Sequence, residues 1–341
     1  MSLLRILSGV LVLLPLQLAA ASPASSTLNW RIESELQASH SRWGEINQPE
    51  LEQPAARQWD AYLRGSFGSQ GWFTDVRLQQ DAKDSDSNWQ LQVDELYHEF
   101  TLPMGEQPLE MTFGAKTLHW DYGFLAMPLN WLGPTDGRRE TRHQADPLLL
   151  AEYYAGMTLL QSGCAWIEAA EDSREDWQSL CLLRMQGFAG AAEWQWLIGQ
   201  DSHTRAGAGL AMTLTDAVGV YLSSSWQDVE TDAWQTLVGI NWSGAKHLEV
   251  RAEYLNAATD QMLLRSQWTP DDWTLTAGLV WVDRPQAIYQ LELALGYQLS
   301  DPAYLELAGY FNTSRGPIGV VDLDQQLLLR LIFTTGGQLQ R

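Results

Sequence analysis

Apolar and polar residues alternate along almost the whole chain, in short segments that follow one another closely. Residues 288–299 show the pattern most clearly, since Tyr289 and every second residue up to Leu299 are apolar, and Gln290 and Glu292 lie between them. Side chains that alternate with a period of two point to opposite faces of a β-strand. Each segment therefore predicts a strand with one apolar and one polar face.

Eighteen strands are predicted in this way, and sixteen is the alternative count. Segments of about ten residues are long enough for a tilted strand to cross a bilayer. Short and long connections alternate along the chain only if 148–154 counts as a strand. With this strand the count is eighteen, an even number, as a barrel with both termini on the inner side of the membrane requires. The predicted strands are 28–38, 58–67, 72–80, 89–102, 109–117, 148–154, 157–169, 177–188, 191–200, 204–214, 217–228, 233–242, 247–257, 261–269, 272–284, 287–299, 303–313 and 322–334.

Aromatic residues at the strand ends favour a membrane barrel over a soluble fold. Amphipathic Trp and Tyr rings are typical of the two headgroup levels of a bilayer, and the polar faces suit a water-filled lumen. A soluble β-sandwich or β-helix is the alternative, which accounts for alternation but not for strand length and paired aromatic ends together. These aromatic residues are Trp30, Trp59, Trp72, Trp89, Trp268, Trp273, Trp281, Tyr289 and Tyr297.

The N-terminus predicts an export signal. Arg5 precedes an apolar run over residues 6–18, and small residues then offer a cleavage site after Ala21. Residues 1–21 are therefore expected to be a signal peptide, and residues 22–341 a single barrel domain in the cell outer membrane. The formal net charge is −21, and loss of Arg5 makes it −22, which argues against nucleic acid as a partner.

Two local features refine the predicted barrel. The alternation slips by one residue at Asp94 and Glu95, which predicts a β-bulge. Cys164 and Cys181 are equally distant from a turn at residues 172–173, and the periplasm is oxidising. A cross-strand disulfide is one hypothesis for this pair, and two free thiols are the alternative.

The last predicted strand resembles the C-terminal strand of Gram-negative outer-membrane β-barrels of the porin type. It alternates from Leu327 and ends at the aromatic Phe333, as in that family. The resemblance implies that Phe333 is the signal for the barrel insertion machinery. The chain departs from the family in a tail, Thr334 to Arg341, that follows the aromatic residue.

Residues 118–147 interrupt the alternation and hold most of the candidate chemistry. The segment is too apolar to be disordered, so we expect it to fold into the barrel and narrow the pore. Arginines there and facing lumen carboxylates (Glu33, Glu35, Asp60 and Asp75) would form a selectivity filter; alternatively, they neutralise each other and close the barrel. The predicted constriction residues are Arg138, Arg139, Arg142, His143, Trp120, Tyr122 and Trp131.

Part of this segment resembles porin-like barrels of proteobacteria, including the alginate-export type. The resemblance covers roughly residues 95–155 and rests on Gly114-Ala115-Lys116, Leu118-x-Trp120-x-x-Gly123, Pro128 and the paired arginines. It implies an outer-membrane channel with an inward loop. It implies no substrate, since alginate exporters line their pore with many basic residues and this chain has few.

These features predict a channel rather than an enzyme. No HExxH or GxSxG motif occurs, and Asp201, Ser202 and His203 are adjacent residues of one loop, which cannot form a triad. No cofactor or metal is expected. The expected partners are outer-membrane lipids, lipopolysaccharide, the barrel insertion machinery and small polar or anionic solutes, and the sequence leaves the oligomeric state open.

Three functions follow from this prediction. The first is a porin for passive diffusion of small hydrophilic solutes, with an arginine-bearing constriction. The second is a dedicated export or uptake channel for an anionic polysaccharide or oligosaccharide. The third is a closed structural or adhesion barrel.

Overall fold

The computed structural model describes residues 27–45, 56–69, 71–81, 89–105, 107–132, 145–168, 177–229, 233–244, 247–283, 288–315 and 321–340. Within them the regular structure is entirely β. The strands are β1 Thr27–Glu45, β2 Ala56–Ser69, β3 Trp72–Asp81, β4 Trp89–Leu102, β5 Leu109–Ala115, β6 Pro147–Ala155, β7 Thr158–Glu168, β8 Trp177–Ala189, β9 Ala192–Gln200, β10 Thr204–Thr215, β11 Val218–Gln227, β12 Trp234–Ser243, β13 Leu248–Asn256, β14 Gln261–Trp268, β15 Trp273–Val282, β16 Ile288–Ser300, β17 Ala303–Arg315 and β18 Val321–Gln340.

The strands form one closed antiparallel barrel. Each pairs with its neighbours in the chain, and β18 pairs with β1 to close the circle. Closure gives every strand two partners, which removes the unpaired sheet edges that a membrane does not tolerate. The prediction of an eighteen-strand up-and-down barrel is confirmed, including the short strand β6.

The two faces of the strands divide as the alternation predicts. Large apolar side chains such as Leu291, Leu293 and Leu295 are exposed on the outside, where lipid would cover them. The intervening positions point into the barrel and carry residues such as Glu292. Among the described residues, no helix is long and apolar enough to cross a membrane.

The last strand is longer than its apolar pattern predicts. β18 runs to Gln340 rather than ending near Phe333, and the residues from Thr334 onward pair with the start of β1. Backbone hydrogen bonds hold this extension, and they need no apolar alternation, so the pattern alone missed it. Phe333 is 45% exposed, on the outside of the barrel, and its recognition by the insertion machinery stays a prediction.

The phase slip in β4 is a β-bulge, as predicted. Asp75 of β3 lies opposite Glu95, while Val76 lies opposite Val93, so Asp94 is the extra residue. A bulge re-aims side chains locally. Here it allows the neighbouring Asp94 and Glu95 both to serve the segment inside the barrel, as described below.

The two cysteines face each other across β7 and β8. Cys164 and Cys181 are partners in the strand register, and their sulfur atoms are bonded, with the Cα atoms 4.0 Å apart. The bond lies on the outside of the barrel, at the alternate positions to the buried Ala165 and Leu180. It ties the β7–β8 hairpin at the end that carries the longer connection.

Candidate functional site

The segment after β5 folds back into the barrel instead of extending away from it. We call residues 116–132 the lumen loop. Its apolar side chains are almost fully buried, and Leu125 and Leu129 are 1% and 0% exposed. Because these side chains meet inward-facing positions of the wall, the loop lies inside the lumen, as the sequence predicts.

One part of the lumen loop packs on the wall near its own base. Its side chains on this wall are Leu118, Trp120, Leu129 and Leu132, with Trp131 against them. Gly207 of β10 makes room for the loop, since a Cβ atom there would lie 2.5 Å from the Leu129 side chain. The wall residues of this first patch, from β6 to β9, are Leu148, Leu150, Ala165, Leu180, Leu182 and Leu197.

A second part of the lumen loop reaches the opposite wall. Leu125 packs in an apolar patch from β11 to β15, and Tyr122 and Phe124 lie beside it. In the circle of eighteen, β14 is nine strands away from β5, so the loop crosses the whole lumen. The wall residues of this second patch are Tyr221, Leu237, Leu255, Leu263, Val280 and Val282.

Gly123 permits the sharp approach to this wall. A Cβ atom at this position would lie 2.0 Å from the carbonyl oxygen of Ala126 and 2.3 Å from the Leu237 side chain. Backbone cannot move away from such a contact as a flexible side chain can. The glycine therefore has a steric explanation, since any side chain would push the tip of the lumen loop away from the wall.

A carboxylate of the wall holds the tip of the lumen loop. Glu253 on β13 accepts a hydrogen bond from the Phe124 N–H at 2.9 Å, and further ones from the Leu125 N–H and the Tyr221 hydroxyl. Glu253 is 3% exposed. Hydrogen bonds to a charged acceptor are about twice as strong as neutral ones, so this is a firm anchor.

A second carboxylate holds the lumen loop from within. Asp121 accepts hydrogen bonds from the N–H groups of Leu129 at 2.6 Å and Tyr122 at 2.7 Å, and also from Gly123 and the Ser223 hydroxyl of β11. Burial raises the pKa of Asp121, and these hydrogen bonds act in the opposite direction by stabilising the charged form. Asp121 thus closes the loop on itself and ties it to the wall.

The bulge in β4 holds both ends of the inserted segment. Thr117 N–H donates to the side chain of Glu95 at 2.8 Å, and Ala145 N–H donates to the backbone carbonyl of Asp94 at 2.9 Å. The Asp94 carboxylate is in turn paired with the buried Arg77 at 2.7 Å. The bulge therefore holds Thr117, where the segment begins, beside Ala145, where it ends.

Two arginines of the wall lie against the lumen loop. Arg251 of β13 and Arg265 of β14 are partners in the register, and their guanidinium carbons lie 5.2 and 4.9 Å from the centre of the Phe124 ring. A cation over an aromatic face is stabilised by the ring quadrupole. A cavity of about 270 Å³ adjoins this pair and is lined by polar groups that include Glu249.

A third arginine lies on the other side of the lumen. Arg184 of β8 donates to Gln195 at 3.0 Å and also to Gln161, and its guanidinium stacks over Trp120 at 5.3 Å. Gln195 donates to the Trp120 carbonyl at 2.6 Å. Trp120 is therefore held by polar groups in addition to its packing in the first patch.

Charged pairs lie on the described part of the wall from β16 to β18 and on to β1. Arg330 and Glu306 lie 3.7 Å apart, and Arg31 and Glu33 lie 3.2 Å apart. Glu292 of β16 lies near Arg265 in the next stretch of wall. Water would solvate these charged groups readily.

The structure thus locates part of the predicted site. Trp120, Tyr122 and Trp131 lie in the lumen, and the Tyr122 hydroxyl donates to Glu193 at 3.0 Å. Glu33 and Asp75 lie on the wall, and the latter is buried. The described residues do not include Arg138, Arg139, Arg142 and His143, nor the side chains of Glu35 and Asp60.

Sequence reasoning missed the wall residues that touch the lumen loop, and the four most informative are two arginines that contact Phe124, one that contacts Trp120, and the carboxylate that holds the tip. Arg184, Arg251, Arg265 and Glu253 all lie on polar faces of predicted strands, so the signal was present. It could not be read because a polar face says only that a residue points inward, and not what it meets there. Within the described part of the chain, no group of three or more His, Cys, Asp or Glu residues could hold a metal ion.

Solved structures with the same fold are outer-membrane proteins. OccAB4 of Acinetobacter baumannii matches with a TM-score of 0.61 and 8% identity over 90% of this chain and 98% of its own. OpdK of Pseudomonas aeruginosa, solved with vanillate, matches with a TM-score of 0.60 and 11% identity over 90% and 99%. This chain has the fold of a porin-type outer-membrane β-barrel.

A carbohydrate-binding barrel shares this porin-type fold. Wzi of Escherichia coli, which is involved in group 1 capsule assembly, matches with a TM-score of 0.58 and 10% identity over 86% of this chain and 83% of its own. No family model and no curated protein matches the sequence. The local resemblance to alginate-export-like porins stays a prediction.

Proposed function

We propose that the protein is an outer-membrane channel through which small hydrophilic solutes diffuse passively. The observation that carries the proposal is the lumen loop, which crosses an eighteen-strand barrel and is held by Glu253 and Asp121. Barrels of sixteen to eighteen strands are wide enough to leave an aqueous channel. A fixed crossing segment narrows such a channel to the size of a small solute.

A pair of arginines at the constriction favours anionic solutes at that point. Arg251 and Arg265 lie side by side against the loop, with Glu249 in the same cavity and Glu292 near Arg265, and two adjacent guanidinium groups suit the carboxylate of a solute. Vanillate, with which OpdK was solved, is an aromatic carboxylate and therefore a small anion of this kind. The rest of the segment would add positive charge to this constriction if it also lies in the lumen, since it carries Arg138, Arg139, Arg142 and His143.

Liposome swelling tests the proposal. Purified full-length protein is placed in liposomes, and the rate of swelling is measured in isosmotic solutions of a pentose, a disaccharide and a tetrasaccharide. A size-limited channel gives fast swelling with the pentose and progressively slower swelling with the larger sugars. Rapid entry of the tetrasaccharide would favour the oligosaccharide channel, and no swelling with any sugar would favour the closed barrel.

Replacing Arg251 and Arg265 together with Gln is expected to shift ion selectivity toward cations. The change removes two positive charges from the lumen and leaves hydrogen-bonding side chains of similar length. The measurement is the reversal potential of single channels in a KCl gradient. Arg31→Gln is the matched control, because Arg31 is 63% exposed and already paired with Glu33. An unchanged reversal potential in the double variant would contradict the assignment.

A further inference from the structure

The two arginines beside Phe124, Arg251 and Arg265, which we call the arginine pair, have no direct counter-ion in the part of the chain that the structure describes. Elsewhere on the wall, Arg330 lies 3.7 Å from Glu306. Neither member of the arginine pair takes part in such an ion pair. Arg265 donates to the neutral Gln267 at 3.3 Å, and its buried Nε has no hydrogen-bond partner. The arginine pair therefore has N–H groups to offer an anion.

A glycine separates Arg265 from a carboxylate of the wall. Gly278 of β15 lies opposite Arg265 on one side and opposite Glu292 of β16 on the other. A Cβ atom at Gly278 would lie 3.3 Å from the Glu292 Oε2 atom and 3.8 Å from the Arg265 Cγ atom. Because the glycine has no side chain, the Glu292 carboxylate lies over it, on the side of Arg265. Any larger residue at position 278 would stand between the two groups.

Glu292 is near enough to act on the arginine pair by its charge without occupying the N–H groups. A hydrogen bond needs a separation of about 3 Å, whereas the Coulomb energy of two charges falls only as the inverse of their distance. Glu292 is partly buried, and Glu249, which lines the adjoining cavity, is exposed. Water and salt screen an exposed charge more strongly, so Glu292 has the greater effect on the arginine pair.

We propose that Glu292 is an internal counter-ion that sets how tightly the arginine pair holds the carboxylate of a solute. This inference rests on the proposed function and deepens it. A channel must bind its solute firmly enough for entry and weakly enough for release. Two arginines with no anion nearby would retain a carboxylate, and directly paired arginines would attract it poorly. A carboxylate held one glycine away gives the intermediate strength.

The same arrangement selects for the charge of the solute. The arginine pair suits one carboxylate, and a second carboxylate on the same solute would be repelled by Glu292 as well. Specificity often depends on such a repulsive element in addition to the attractive one. The preferred solutes are therefore small monocarboxylates rather than dicarboxylates.

Removing the charge of Glu292 tests the proposal without requiring an open channel. Full-length protein in detergent is titrated with para-fluorobenzoate, which has one carboxylate, and the dissociation constant is measured from fluorine NMR line widths. We expect Glu292→Gln to bind this probe roughly fivefold more tightly, which corresponds to about 1 kcal/mol. A fluorinated phthalate, which has two carboxylates, should gain more, because the repulsion that is removed acts on two charges.

Two further variants separate the position of Glu292 from the total charge of the lumen. Gly278→Val keeps every charge but places a side chain between Glu292 and Arg265, and it should tighten binding in the same direction as Glu292→Gln. Glu306→Gln is the matched control, because it removes the same charge on the next strand, beside Arg330. We expect binding in this control to stay near that of the native protein.

Three outcomes would overturn the assignment. They are no binding of para-fluorobenzoate by either the native protein or Glu292→Gln, an equal gain in Glu306→Gln, and native binding in Gly278→Val. The proposed channel is assayed separately, by sugar entry into liposomes. A barrel that binds the probes as expected but admits no sugar would refute the channel and leave the role of Glu292 standing, and the reverse result would refute only that role.

Discussion

Deleting residues 119–143 and joining Leu118 to Gln144 through a short Gly-Ser linker is expected to raise single-channel conductance by about twofold or more, since the empty barrel is wide enough for an aqueous channel. The deletion removes the described part of the segment that crosses the lumen. A short linker is expected to suffice because Thr117 and Ala145 are held by the neighbouring residues Glu95 and Asp94. The measurement is single-channel conductance across a planar bilayer with about 1 M KCl on both sides.

Circular dichroism shows whether the deletion variant still folds. The barrel hydrogen bonds are between strands, so the β-sheet signal in circular dichroism should persist. The wall leucines of the first patch, such as Leu150 and Leu180, lose their cover, and some loss of thermal stability is expected. A folded deletion variant with the conductance of the native protein would mean that the lumen loop does not limit the pore.

Replacing Glu253 with Ala is expected to release the tip of the lumen loop. The change leaves the N–H groups of Phe124 and Leu125 and the Tyr221 hydroxyl without their acceptor. Each buried group left unpaired costs about 1–3 kcal/mol, which is comparable to the free energy that holds a loop in place. We expect a larger mean conductance with frequent transitions between current levels, seen in single-channel recordings.

Glu249→Ala is the matched control for this variant. Glu249 lies four residues earlier on β13, on the same inward face, and is exposed rather than buried. The Glu249→Ala change removes one negative charge from the same strand and leaves the hydrogen bonds between Glu253 and the lumen loop in place. If both variants behave alike, the effect is one of lumen charge, and the anchoring role of Glu253 is wrong.

The barrel could be predicted from the sequence because its physical cause is local. A strand with one lipid-facing side must alternate, and this pattern located all eighteen strands, including the bulge at Asp94 and the short strand β6. The pattern failed where side chains do not decide the structure. The end of β18 from Thr334 to Gln340 is held by backbone pairing with β1, which leaves no apolar period to read.

The lumen loop could be predicted only in outline. Its apolar composition required burial, and its length allowed it to reach into the barrel. The partners that Leu125 and Asp121 have on the wall lie on β11 to β15, about one hundred residues or more away in the chain, as the Ser223 and Glu253 contacts show. Such contacts depend on how the strands close into a circle, and no local pattern encodes which inward-facing residue the loop will meet.

The measurement that tests the central claim most directly is the single-channel conductance of the unmodified full-length protein in a planar bilayer. A channel crossed by a fixed loop predicts discrete, long-lived current steps of lower conductance than those of the variant lacking 119–143, with a reversal potential in a KCl gradient that shows anion preference. Folded protein that gives no steps, while the deletion variant conducts, would contradict the account and identify the native barrel as closed.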